Sequence, residues 1–162
     1  MLEIGVISDT HLAHAKELPK ALTEKLSRLD LILHAGDLVS MDVLNGLKKL
    51  GPEVKAVCGN MDTWQLKKLL PQKLIFEAGG IRIGLTHGSG APFNLISSVK
   101  NVFKDERLGC IVFGHSHLVY NQKHQGTLFL NPGSPTDNFF APYNSFGILQ
   151  IDKQIRVKIV RL

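Results

Sequence analysis

Short apolar runs alternate along this chain with stretches in which apolar residues recur every three or four positions. Leu2–Ser8 is such a run, the pattern of a buried strand. Leu18, Ala21, Leu22, Leu26 and Leu29 then recur at helical spacing, and Leu31–Ala35 reads as a second buried strand. Ser40 is placed to cap a helix whose one face carries Val43, Leu44, Leu47 and Leu50, and Gly51-Pro52 stops it. Val54–Cys58 predicts a third strand, and Thr63–Leu70 a short helix ended by Pro71. Gly79-Gly80 between Lys73–Ala78 and Ile81–Thr86 predicts a hairpin. Phe93–Phe103 returns to helical spacing with Pro92 near its start. Cys110–Phe113 and Thr127–Leu130 predict short strands, and Ser145–Ile151 with Gln154–Val160 a final hairpin about Asp152-Lys153.

The first half is therefore βαβαβ-like and the second half richer in strands. Two sheets packed face to face, with helices outside, satisfy both halves. No repeat, low-complexity tract or linker interrupts the pattern, so residues 1–162 are expected to form one α/β domain.

Composition changes this picture little. Apolar residues make up 44% and charged residues 20% of the 162, an ordinary globular balance. The formal net charge of +5 favours anionic partners, but Lys48-Lys49 and Lys67-Lys68 are the only paired lysines, so most basic residues read as solvated helix faces. Nucleic acid is not an expected partner. Cys58 and Cys110 fall in or after apolar strands and read as buried thiols in a reducing compartment. There is no charged-then-apolar leader and no long apolar segment, so a cytoplasmic location without membrane spanning is expected.

The polar residues of interest follow the ends of strands. Ile4–Ser8 leads into Asp9-Thr10-His11, Leu31–Ala35 into Gly36-Asp37, and Val54–Cys58 into Gly59-Asn60-Met61-Asp62. Ile81–Thr86 leads into His87-Gly88, and Cys110–Phe113 into Gly114-His115-Ser116-His117. Strand ends in α/β sheets face a common crevice, so five loops are placed to converge. Asp and His are ligands for divalent cations, and Asn adds a carbonyl oxygen. Residues two apart on extended backbone point the same way, which pairs Asp9 with His11 and His115 with His117. Each motif alone reads as a turn or a buried histidine. Together they supply enough donors for two ions, with Asp37 as the carboxylate shared between them.

These residues resemble the calcineurin-like metallophosphoesterase superfamily. The short length, His34-Ala35-Gly36-Asp37, Thr86-His87-Gly88 and Asn131-Pro132-Gly133-Ser134 are similar to its small YfcE-like phosphodiesterase branch. The resemblance spans roughly residues 3 to 150. It implies a four-layer α/β/β/α sandwich, two mixed sheets flanked by helices. It implies one metal on Asp9, His11, Asp37 and His117, and a second on Asp37, Asn60, His87 and His115. The expected activity is a dinuclear-metal-dependent phosphoesterase, of phosphodiesterase type, in which a metal-bridging hydroxide attacks a small phosphate ester. Asn60 and His87 are expected beside the phosphate, with Asp62 orienting Asn60 or a histidine. Larger members of the superfamily carry a histidine where this chain has Met61, and that histidine is thought to protonate the leaving group. Its loss favours diesters or good leaving groups. The metal is expected to be Mn, with Fe, Ni or Zn compatible with the same donors.

Two alternatives stand beside this reading. One is a non-catalytic interaction scaffold of the kind formed by the small retromer subunit, which resembles this branch in fold and size. The other is a nuclease. Homodimerisation through strand edges is compatible with a chain of this size. His34 reads as a core or supporting histidine, Ser134 as turn support and Trp64 as a helix-packing residue. Phe139-Phe140 reads as core, as a lip beside the substrate or as a subunit contact.

Overall fold

The structure is a computed structural model describing residues 1–162. Ten strands form two mixed five-stranded sheets. The first has the order β10 (Ile155–Arg161), β9 (Ser145–Ile151), β1 (Leu2–Ile7), β2 (Leu31–His34), β3 (Glu53–Ala56). The β1–β2 and β2–β3 pairs are parallel, and β9 runs antiparallel to both neighbours. The second sheet has the order β4 (Lys73–Ala78), β5 (Ile81–Thr86), β6 (Cys110–Val112), β8 (Thr127–Pro132), β7 (Val119–His124). Its β5, β6 and β8 are parallel, with antiparallel β4 and β7 at the edges.

The four layers follow from the two-residue period of the strands. Ile4 and Val6 of β1, Leu31 and Leu33 of β2, Ile83 and Leu85 of β5 and Leu128 and Leu130 of β8 form the buried layer between the sheets. The intervening residues face outward. Ile7, Ile32, Phe146 and Ile148 receive Leu22 and Leu26 of α1 (Lys20–Leu26), Val43, Leu44 and Leu47 of α2 (Met41–Lys48) and Leu66 of α3 (Trp64–Leu69). On the far side Ile111, Phe113 and Phe129 receive Leu95 and Val99 of α4 (Leu95–Val102). Strand segments buried on both faces must be apolar, which is why Ile4–Ile7 of β1, Leu31–Leu33 of β2 and all of β6 read as unbroken runs.

Three local expectations are corrected. Strand β7, with the sequence VYNQKH, lacks an apolar run because it is an edge strand and half exposed, so the pattern did not reveal it. The helical spacing from Phe93 resolves into a 3-10 turn, Pro92–Asn94, followed by α4. Trp64 is 69% exposed at the first position of α3, and Leu66 supplies the packing instead.

Candidate metal centre

Chain reversals just beyond the strands aim the donors inward. Asp9, His11, Asp37, His115 and His117 all take left-handed backbone angles, with φ of +56, +46, +57, +73 and +59°. L-residues adopt this region only under constraint. The constraint is partly visible: the Asp9 amide donates to the Gly36 carbonyl at 3.0 Å and the His11 amide to the Asp37 carbonyl at 3.1 Å, lashing the first two loops together. Close approach of backbone demands glycine at two further points. A Cβ on Gly59 would lie 2.1 Å from Asp37 Oδ1, and one on Gly114 would lie 1.9 Å from Ser8 Oγ.

All seven proposed donors come together. His11 Nε2 lies 3.3 Å from His117 Nε2 and 3.5 Å from Asp37 Oδ2. Asp9 Oδ1 lies 3.5 Å from His117 Nε2 and 3.9 Å from both His11 Nε2 and His87 Nε2. On the other side, Asp37 Oδ2 lies 3.4 Å from His87 Nε2, while Asn60 Oδ1 lies 3.0 Å from both His87 Nε2 and His115 Nδ1. Asp37 Oδ2 thus sits between an imidazole of each flank. Asp9, His11 and His117 form one compact donor group, and Asp9, Asp37 and His87 another.

Hydrogen bonds behind the site fix which imidazole nitrogen faces it. His87 Nδ1–H donates to the Ala35 carbonyl at 2.7 Å, and His115 Nε2–H donates to the Gly90 carbonyl at 2.8 Å. His117 Nδ1–H donates to Asp137 Oδ2 at 2.6 Å. Each ring therefore turns a lone pair inward, towards other acceptors: Asp9 Oδ1, Asp37 Oδ2 and Asn60 Oδ1. Converging lone pairs of Asp, His and Asn suit divalent cations, so the donor set fits the group expected there.

Electrostatics point the same way. Burial pushes the Asp9 carboxyl up, against the pull of His87 and His117. Burial also opposes ionisation of Asp37, yet hydrogen bonding and charge from His87 hold its carboxyl below the usual carboxylate range. Burial would lower His87, but Asp37 and Asp9 raise it. The carboxylates and His87 thus perturb one another's protonation, and cations would compete with protons for these groups.

The supporting residues divide into those expected and those missed. His34 is fully buried, and desolvation lowers it to about 3, so it is a neutral core residue. Its Nε2–H donates to Thr10 Oγ1 at 3.2 Å and its Nδ1 accepts from the Gly36 amide at 3.2 Å. Ser134 Oγ donates to the Asp9 carbonyl at 2.7 Å. The Asp62 carboxylate binds neither Asn60 nor a histidine side chain. It accepts from the amides of Asp37, Val39 and Gly59 at 3.1, 2.7 and 2.7 Å, so it shapes the turns that carry the donors.

Asp137 was missed. Besides His117, its carboxylate accepts from the amides of Phe139, Phe140 and Ala141 at 2.8, 3.1 and 2.9 Å. Despite burial, these bonds hold it down at about 2. The signal available was thin: an Asp after Pro135-Thr136 that reads as an ordinary Asx turn. The same bonds set Phe139 and Phe140 on the rim of a cleft of about 610 Å³ over the donors, with Met61 beside them. Phe139 is 91% and Phe140 77% exposed, which excludes the core reading of this pair.

Comparison with known proteins agrees with this geometry. The family model of the calcineurin-like phosphoesterase superfamily domain matches residues 2–154. A probable metallophosphoesterase of Methanocaldococcus jannaschii is 38% identical over 159 residues, covering 97% of this chain and 80% of that one. A phosphodiesterase of the same organism is 25% identical over 172 residues, covering 98% of this chain and 99% of that one. Among solved structures, a single mutant of Vps29 from Entamoeba histolytica has a TM-score of 0.79 at 25% identity, covering 99% of each chain.

Proposed function

The chain belongs to the calcineurin-like phosphoesterase superfamily, and from that premise we propose that it is a phosphodiesterase working with two divalent cations. The observation that supports this reading best is the inward lone pairs of His87, His115 and His117, each fixed from behind by a carbonyl or a carboxylate. Asp9, His11, Asp37 and His117 would hold one cation, and Asp37, Asn60, His87 and His115 the other. Bound divalent cations supply a water of lowered pKa and neutralise charge on a phosphoryl group.

The chain's own residues set the rest. Asn60 and His87 face the space where a phosphoryl oxygen would lie. Asp62 holds the Asp37 and Gly59 amides, so it keeps donors in register without touching substrate. Met61, 60% exposed on the cleft rim, offers no proton to a departing alkoxide. Substrates whose leaving group departs as a stable anion, activated diesters above all, therefore suit the site better than alkyl monoesters. Mn is the preferred metal, with Fe, Ni and Zn compatible with the same donors. Two unpaired cysteines fit a cytoplasmic setting, and no helix is long and apolar enough to cross a membrane.

The likeness to Vps29 motivates a second reading, a non-catalytic scaffold. The complete donor set favours the enzyme. Metal analysis of the purified protein, with turnover of bis(4-nitrophenyl) phosphate, separates the two. We expect about two equivalents of metal and turnover that Asp37→Ala abolishes. Protein that takes up no cation and leaves the diester intact would favour the scaffold.

A further inference from the structure

A second cleft, of about 580 Å³, lies on the Asn60–His87 flank of the centre and shares those two residues with it. Its chemistry is opposite to that of the first cleft. Three carboxylates, Asp9, Asp37 and Asp137, line the first; none lines the second, where Lys67 and Lys73 stand instead. Both ammonium groups are held by neutral partners. Lys67 Nζ donates to the Asn60 carbonyl at 2.6 Å, and Lys73 Nζ donates to the Val102 carbonyl at 3.3 Å and lies 5.9 Å from the Phe103 ring centre. The lysines that do pair with carboxylates are Lys20 and Lys55. Lys67 and Lys73 thus enter no ion pair, next to a centre whose donors suit the binding of phosphate esters.

Two further residues of the cleft add donors. Gly88 and Ser89 line the cleft, and their backbone N–H groups donate to no protein acceptor. Gly88 and Gly90 take φ of +89 and +90° on either side of Ser89. Successive free amides in such a turn are an anion-binding arrangement, and ammonium groups beside them deepen the positive potential.

We propose that this cleft is a subsite for a second phosphate group of the substrate, held by Lys67, Lys73 and the Gly88-Ser89 amides while the scissile phosphodiester lies on the metal centre. The inference rests on the phosphodiesterase reading and narrows it to diesters that carry a further phosphate on one arm. Phe139, Phe140 and Met61 line the first cleft and leave the other arm to an apolar group, so the two arms of the substrate are unlike.

Two measurements test this, and they fail separately. Metal-free, isotope-labelled protein is titrated with inorganic phosphate at constant ionic strength. The Gly88 and Ser89 amide signals are expected to shift saturably, and Lys73→Ala to weaken binding about tenfold, as a charge-assisted hydrogen bond implies. The double variant Lys67→Ala/Lys73→Ala is expected to abolish it. Lys73→Gln separates charge from packing and is expected to behave as Lys73→Ala does. Shifts that never saturate, that stay confined to the Asn60 and His115 signals, or that persist in the double variant would overturn the subsite. The metal-loaded protein is then given two 4-nitrophenyl diesters that differ only in a second phosphate on the other arm. We expect a preference of about tenfold in kcat/KM for the phosphate-bearing ester, carried by KM and lost in the double variant. Equal use of both esters overturns the proposal. Turnover of neither defeats the phosphodiesterase reading, while the titration still decides whether the cleft takes phosphate.

Discussion

The two flanks of the donor cluster use the same residue types in different electrostatic settings. On the Asp9–His11–His117 flank, the supporting partner of the imidazole is a carboxylate, Asp137, and the cleft above is rimmed by phenylalanines. On the Asn60–His87–His115 flank the supporting partners are neutral carbonyls, and the adjoining cleft is lined by lysines. An imidazole backed by a carboxylate is the more basic donor. The first flank should therefore bind its cation more tightly, and the second should give its cation up more easily. Unequal affinity is useful in a paired site, because one ion is retained while the other is free to adjust to substrate.

The largest effect should come from removing what the flanks share. Asp37→Ala is expected to release both cations and lower turnover by about three orders of magnitude, read by metal analysis and diester hydrolysis. Asp137→Asn attacks the asymmetry itself. It keeps the shape of the side chain but removes the charge behind His117, and should weaken the tighter cation about 10–100-fold in a chelator competition. Equal loss at both sites in that variant would refute the assignment of the tight site. Acidification should loosen the other flank. His87 is raised in the cation-free protein, so a proton must leave Nε2 before a cation binds there. Affinity should therefore fall by up to about tenfold per pH unit below the His87 value and level off above it. Calorimetry in buffers of different ionisation enthalpy should register the released proton. Asp137, held at about 2, stays ionised throughout that range. The smallest effect concerns the rim. Met61→His places a proton donor beside Asn60 and should raise monoester turnover several-fold relative to diester turnover.

Much of this was readable because the donors sit where one-dimensional patterns end. Apolar runs that stop abruptly at Asp9, Asp37, Asn60, His87 and His115 mark both a strand and its exit. Four layers followed from strands buried on both faces. What stayed hidden has its signal only in space. Strand β7 has no apolar face to betray it, since its ladder with β8 leaves the side chains half in solvent. Asp137 looks like any loop Asp until the chain brings it within 2.6 Å of His117, twenty residues away. Asp62 was visible as a polar residue beside Asn60, but its three amide partners on separate turns were not. Trp64 shows the converse: a large apolar residue at helical spacing that the fold leaves in water.

Five of the seven donors hang on left-handed turns, each costing a non-glycine residue about 1–2 kcal/mol. That tension is concentrated where the proposed ions would be held and is absent from the strands behind. Durability and chemistry therefore pull in opposite directions at these turns. A lineage released from the need for hydrolysis would gain robustness by letting them relax, and would erase its donors in doing so. In such descendants the apolar layer between the two sheets would outlast the site at its edge.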